Sequence, residues 1–434
     1  MAQYRIDRNQ YLNDGKTIFE VNMLSDKLTA GGGLVDAFGR IRVGEPFTLF
    51  DSSHRYQLND KWSTANTGNA TMVYITNESS VFMNVASANN DRVIRETKRV
   101  FPYQPGKSLL SISSFKFDTP KANLVQRIGH YGANNGVFFE NDSGTNYFVI
   151  RSDISGSIVE TRVAQDNWNF DKFGTVDPNT GAANSAFAIA GHGALDVSKT
   201  QIFFTDIEWL GVGDVRCGFY VDGKPMVGHT FHSENELESV YMRTATLPVR
   251  QEIFNKGPTA SNSSMKQICS TVISEGGYQG RSKPYSAGTN LSTLTSLPTG
   301  NTFYPVVSLR LSPNTPDAVI LPISFDILTA TNNVLYRYKI VKNATLGNTS
   351  WQSHYTNTSQ FDIASNNVIT DGEDMLLGYL TQGSTSTVQD LGSLENLNLQ
   401  LGRTISGNSD IITIAMEGDK VASVGAIIRW NDLT

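Results

Sequence analysis

The sequence predicts an all-β fold: two antiparallel β-sandwich units preceded by an extended N-terminal arm. Three observations point there. Helical periodicity is nearly absent, while apolar and polar residues alternate in many short runs. Those runs recur at roughly the 8–12-residue spacing of sandwich strands and are bounded by Gly, Asn, Asp or Pro. The chain of 434 residues carries 37 glycines, with abundant Asn, Ser and Thr, which favours turns and short strands over long helices.

Taken in order, residues 1–50 are an arm and junction. "QYRIDRNQYLNDGKTIFEVNMLSDKLTAGGG" holds too few apolar residues to bury a core and ends in a hinge of three glycines, Gly31 to Gly33. Then "GRIRV" reads as a strand, Gly44-Glu45-Pro46 as a break and "FTLFD" as a second strand. Residues 51–280 form the first sandwich, with strands in "TMVYITN", "SVFMNVAS", "SLLSISSFKFD", "GVFFEN", "NYFVIRSD", "GSIVETRVA", "TQIFFTDIEWLG" and "ICSTVISE". Within "DVRCGFYVDGKPMVGHTF", Asp222-Gly223 marks a tight hairpin, because both turn positions call for positive φ. Residues 281–302, rich in Gly, Ser, Thr, Asn and Pro, read as a linker. Residues 303–434 form the C-terminal sandwich, from "FYPVVSLRLS" through "AVILPISFDILTA", "VLYRYKIVKN", "MLLGYLTQG" and "NLQLGRTI". Asn332-Asn333 is a tight turn, and "IITIAMEG…KVASVGAIIRW" a terminal hairpin.

Composition removes several function classes. Charged residues are 18% of the chain and the formal net charge is −6. That gives no basic footprint, so no nucleic-acid partner is expected. No run approaches the roughly 18 apolar residues of a membrane span, so no membrane insertion is expected. The polar start "MAQYRIDRNQYLNDG" lacks the apolar segment of a signal peptide, which predicts synthesis in a cytoplasm. Cys217 and Cys269 lie in no C-x-x-C pair and read as small buried thiols, kept reduced in that compartment.

Candidate chemistry is thin. In a strand, Glu234, Glu236 and Glu238 of "HSENELESVYM" would share one face, as a glycoside hydrolase with two carboxyls about 5–5.5 Å apart requires. Yet Asn235, Leu237 and Ser239 make a poor apolar face, and a solvated edge or loop explains the row without catalysis. His229 and His232, with Glu234 and Glu236 nearby, suggest a metal site; three apart, the imidazoles fall on opposite faces of a strand and match no zinc spacing. "GGYQG" and "GVGDV" lack the lysine and helix of a phosphate loop. Trp168 and Phe170 in "DNWNFDKFG" would stack on a sugar if exposed, although core packing is the ordinary fate of such rings. The expectation is therefore no enzyme, no catalytic residue, no metal and no cofactor.

"DAFGRIRVGEPFTLFDS" (36–52) resembles a signature of uncharacterised structural proteins of tailed bacteriophages. "GDVRCGFYVDGKPMVGHTFHSENELESVYMRTATLPVRQEI" (213–253) and "FYPVVSLRLSPNTPDAVILPISFDIL" (303–328) are similar to the same proteins. The first sandwich also resembles lectin-like, concanavalin-type and jelly-roll folds. The resemblance implies a virion protein whose partners are other virion proteins and copies of itself, set in the head, collar, tail or baseplate. Carbohydrate binding to a host-surface glycan is the alternative, and glycan hydrolysis through Glu234–Glu238 the third reading. No catalytic residue comes with the resemblance.

Overall fold

Four antiparallel sheets account for nearly all the regular structure in the computed structural model, which describes residues 44–174, 186–353, 357–380, 389–390 and 399–434. The glycine hinge and "GRIRV" lie outside these residues. From Pro46 onward the chain forms one compact unit.

The first two sheets face each other. One has eight strands, in the order Lys224–Phe231, Val215–Val221, Gln201–Ile207, Ser108–Lys116, Ser263–Glu275, Ser80–Val85 and Thr71–Ile75, with Phe47–Ser52 also pairing on Ser263–Glu275. The expected "FTLFD" strand thus enters this sheet directly. The other has seven strands: Val159–Ala164, Thr145–Ser152, Gly136–Asp142, Leu124–Tyr131, Val249–Asn255, Arg92–Thr97 and Trp62–Thr67. Alternation sends Phe115, Phe139, Phe148, Phe203 and Phe219 into the space between them. Their rings sit 4.5–6.1 Å from one another or from Phe117. Each such pair adds about 0.5–1.5 kcal/mol beyond the area it buries.

The expected hairpin forms at Asp222-Gly223, with φ of 49° and 75°. Both signs match a turn whose twist suits the flanking strands.

The remaining two sheets build a second core from Val306, Leu309, Phe325, Ile340, Ile414, Ile428 and Trp430, among others. One contains Lys283–Gly288, Ala422–Asp432, Ile320–Thr329 and Gln389–Asp390, with Thr295–Leu297 added on Ala422–Asp432. Its partner runs Gln352–Ser353, Ser359–Asp362, Tyr304–Leu311, Ile411–Gly418, Tyr336–Lys342 and Glu373–Leu380. Two expectations change here. Residues 281–302, read as a linker, contribute two strands, because their backbone completes the ladder of the last strand even though "KPYSAG" barely alternates. The terminal "hairpin" is a crossover: Ile411–Gly418 and Ala422–Asp432 lie in different sheets. Both strands are apolar enough for a core-facing role, so a strand–turn–strand pattern did not separate pairing from crossing. Asn333 adopts φ of 57°, but residues 331–333 form a bend, and the strands on either side lie in different sheets.

A third apolar cluster joins the halves. Phe50, Trp62, Phe101 and Val249 pack with Leu321, together with Ile323, Leu399 and Leu433. Polar contacts reinforce it: Gln400 Nε2 donates to the Val100 carbonyl at 2.9 Å, and Arg403 reaches Glu96 at 3.1 Å.

Candidate functional site

The three-glutamate row does not exist as a row. Residues 232–240 follow the end of the Lys224–Phe231 strand as turns and bends, and Glu234, Glu236 and Glu238 are all exposed. Asn235 at φ of 61° folds the chain back, and the Glu236 and Leu237 amides donate to the Ser233 carbonyl. The strand that would have set the three carboxyls on one face is therefore not formed here.

The turn does bring one set together. Val215 and Phe231 are the outermost pair of the hairpin ladder, so Asp214 and His232 emerge side by side. His232 Nδ1 lies 2.9 Å from Asp214 Oδ1. The turn then places Glu234 so that one ligand atom from each of Asp214, His232 and Glu234 lies within 4.8 Å of the others. Hydrogen bonds from its own backbone amide, and from that of Ser233, hold the Glu234 carboxyl below its ordinary pKa. His229 stays apart: it is 8% exposed, accepts from the Asn169 amide, and burial pushes its pKa down to about 4.

The two aromatics of "DNWNFDKFG" separate. Trp168 is buried, stacked on Phe148 with centroids 4.0 Å apart, and its Nε1 donates to the Val163 carbonyl. Phe170 is 61% exposed. The cysteines separate too. Cys217 is buried between the first two sheets, whereas Cys269, expected inside, is exposed on the outer side of the long Ser263–Glu275 strand. Strand alternation alone gave no sign of which face was outward.

An open cavity of about 570 Å³ lies beside the Asp222-Gly223 turn. Its lining includes Lys199, Ile202, Tyr220 and the contact between His192 Nε2 and Asp222 Oδ1 at 3.1 Å.

Two further features were invisible to motif reading. The first is the outer face of the seven-stranded sheet. Register sets Glu140, Arg127 and Glu252 on one rung. Both glutamates are fully buried. Arg127 reaches Glu140 at 2.5 Å, Glu160 at 3.4 Å and Glu252 at 4.0 Å. Arg92 and Arg162 bind Glu252 and Glu140 respectively, and Arg250 reaches Glu252 at 3.6 Å. Arg127 and Arg151 also lie over the Phe138 ring, each 5.1 Å from its centroid. Burial alone would raise the pKa of Glu252; the guanidiniums of Arg250, Arg92, Arg127 and Arg151 outweigh it and hold the carboxyl below its ordinary value.

The second feature is the Glu373–Leu380 strand. It is the last strand of its sheet, and among the described residues nothing pairs with its outer edge. Met375, Leu376, Leu377 and Tyr379 are exposed, Tyr379 by 79%. Apolar side chains beside free backbone donors and acceptors make a ready surface for strand addition.

No protein-family model matches the sequence, and no curated protein does. Solved structures give faint likenesses. The carbohydrate recognition domain of Emp47p is 11% identical, with 50% of this chain and 90% of that chain covered and a TM-score of 0.31. The CBM2 module of the evolved Dit of Lactobacillus casei BL23 phage J-1 is 6% identical, with 55% and 100% covered and a TM-score of 0.34. The carbohydrate esterase vb_24B_21 of the Shiga toxin-encoding bacteriophage phi24B is 10% identical, with 53% and 100% covered and a TM-score of 0.29. At such scores these likenesses carry no functional argument.

Proposed function

We propose that the chain is a structural component of a tailed-phage virion that assembles through exposed β surface and its N-terminal arm, against other virion proteins and copies of itself. The observation that carries this reading is the Glu373–Leu380 strand, an apolar edge left open among the described residues. The sequence resemblance to tailed-phage structural proteins supports the particle as its setting. Leu377 and Tyr379 lie opposite Lys339 and Arg337, so glutamate at both positions faces opposite charge and leaves the sheet intact. The Leu377→Glu/Tyr379→Glu variant should fold normally yet enter particles poorly when it replaces the wild-type protein during infection. Wild-type levels in purified particles would count against the edge as an assembly surface.

A second reading, a host-glycan contact on the same particle, has one observation behind it. The open cavity beside the hairpin offers a tyrosine, an aliphatic side chain and paired polar groups, the mixture that saccharides engage. Glycan-array binding by the purified protein, abolished by Tyr220→Ala, would support it.

A further inference from the structure

We propose that Asp214, His232 and Glu234 form a binding site for one divalent first-row transition-metal ion, a clip that fixes the turn beyond the Asp222-Gly223 hairpin. The argument begins with the donor set. One imidazole and two carboxylates suit such ions, whereas calcium and magnesium favour all-oxygen surroundings. The set is also more than a patch of acid, because its members come from two chain segments brought together by defined backbone. The hairpin ladder ends at Val215 and Phe231, so Asp214 and His232 continue it by one position. The Ser233–Glu236 turn then returns Glu234 to the same point.

Distances agree with this. Zinc bonds to nitrogen and oxygen run about 2.0–2.2 Å, which spaces neighbouring ligand atoms roughly 3–3.5 Å apart. His232 Nδ1 and Asp214 Oδ1 already stand at 2.9 Å, and all three ligand atoms lie within 4.8 Å, so small side-chain rotations close the set. Three protein ligands leave the remaining positions to water.

The charge balance points the same way. Two carboxylates this close repel unless a proton or a cation lies between them. The side chains that meet here are two acids and an imidazole, with no lysine or arginine paired to Asp214 or Glu234 among the described residues.

A hydrogen bond between His232 and Asp214 would explain their contact alone. A metal clip requires Glu234 as well, and the two accounts separate experimentally. The full-length protein, stripped with chelator, would be titrated with Zn²⁺ and with Mn²⁺ by calorimetry near pH 7, with bound metal counted by elemental analysis after desalting. One ion per chain is expected, with a melting temperature that rises with metal concentration. His232→Gln and Glu234→Gln should each weaken binding by roughly tenfold or more, since even losing a supporting group has that effect. Glu236→Gln, exposed two residues away, should bind as the wild type does. All three positions are exposed, and circular dichroism would check that each variant remains folded. No stoichiometric ion in the wild type, or binding that survives both His232→Gln and Glu234→Gln, or equal loss in Glu236→Gln, would overturn the proposal.

Discussion

The outer face of the seven-stranded sheet and the Glu373–Leu380 edge both point away from a core, yet they are made of opposite materials. The first is ionic and closed. Arg92, Arg127, Arg151, Arg162 and Arg250 interleave with Glu140, Glu160 and Glu252, and Glu140 and Glu252 are left with no exposure. The second is apolar and open, with Leu377 and Tyr379 exposed beside an edge that no described strand pairs. Charge on an outer face usually keeps it wet. Here the guanidiniums of Arg127, Arg151 and Arg162 stand over the Phe138 and Tyr147 rings and help cover the sheet. The difference teaches that polarity alone does not say which surface is free: the charged face is largely paired within the chain, and the apolar edge is the one left unpaired among the described residues.

The largest expected effect breaks the closed face. Glu252→Ala leaves Arg250, Arg92 and Arg127 facing one another without their shared anion. Removing one partner of a buried ion pair costs about 3–5 kcal/mol. Urea unfolding should show a loss of that size, and a loss under about 1 kcal/mol would mean that water already reaches these groups.

Acid probes the same half more gently. Burial, aided at His54 by the Arg95 charge, pushes the pKa of His130 down to about 3 and that of His54 to about 4, and burial with His232 does the same at His229. A base whose folded pKa is depressed takes up protons more readily when unfolded. Stability from these residues is therefore complete above their unfolded pKa of about 6.5 and falls as pH drops from there towards 4. Each adds up to about 1.4 kcal/mol per pH unit in that window. Glu252, an acid with a lowered pKa, adds its own loss only below its unfolded value of about 4.5. Melting temperatures between pH 7.5 and 4.5 should fall, and His130→Phe should flatten the slope. A pH-independent melting temperature across that range would show the imidazoles to be solvated.

How much of this was legible in the sequence depended on range. Asp222-Gly223 was legible because a tight turn is chemically complete within a few residues. The terminal crossover was not, since Ile411–Gly418 and Ala422–Asp432 each read as a buried strand whichever sheet they join. "KPYSAG" carried no strand pattern, because its pairing is supplied by the backbone of a strand some 140 residues later in sequence. The Glu140–Arg127–Glu252 rung was invisible for the same reason: it needs the register of three strands at once. At the candidate metal site His232 and Glu234 were visible, but Asp214 arrives only through the hairpin.

The hairpin itself offers a test of intermediate size. An added Cβ at Gly223 meets nothing within 4 Å, so a substitution there is opposed only by its φ of 75°. Gly223→Val should cost about 1–3 kcal/mol as backbone strain. Because the turn borders the candidate metal hairpin and not the open edge, thermal unfolding should shift while particle entry of the folded fraction stays unchanged. An unaltered melting temperature would place the strain-bearing turn elsewhere.

The smallest effect is expected where the surface is open. Leu377 lies opposite Lys339 on the last strand, half exposed and in contact with no strand beyond it among the described residues. Leu377→Glu removes apolar area that the isolated chain scarcely buries and puts a carboxylate across from an ammonium. Lost strand propensity and the gained cross-strand pair are each a few tenths of a kcal/mol and opposite in sign. Stability should therefore stay within about 0.5 kcal/mol of the wild type, as for most surface changes. Association is where the change should appear. Sedimentation of the purified protein across a concentration series should show weaker self-association for Leu377→Glu than for the wild type, at equal melting temperature. If instead this variant melts far below the wild type, the edge belongs to the core of its own chain. The contrast with the sealed arginine face would then collapse.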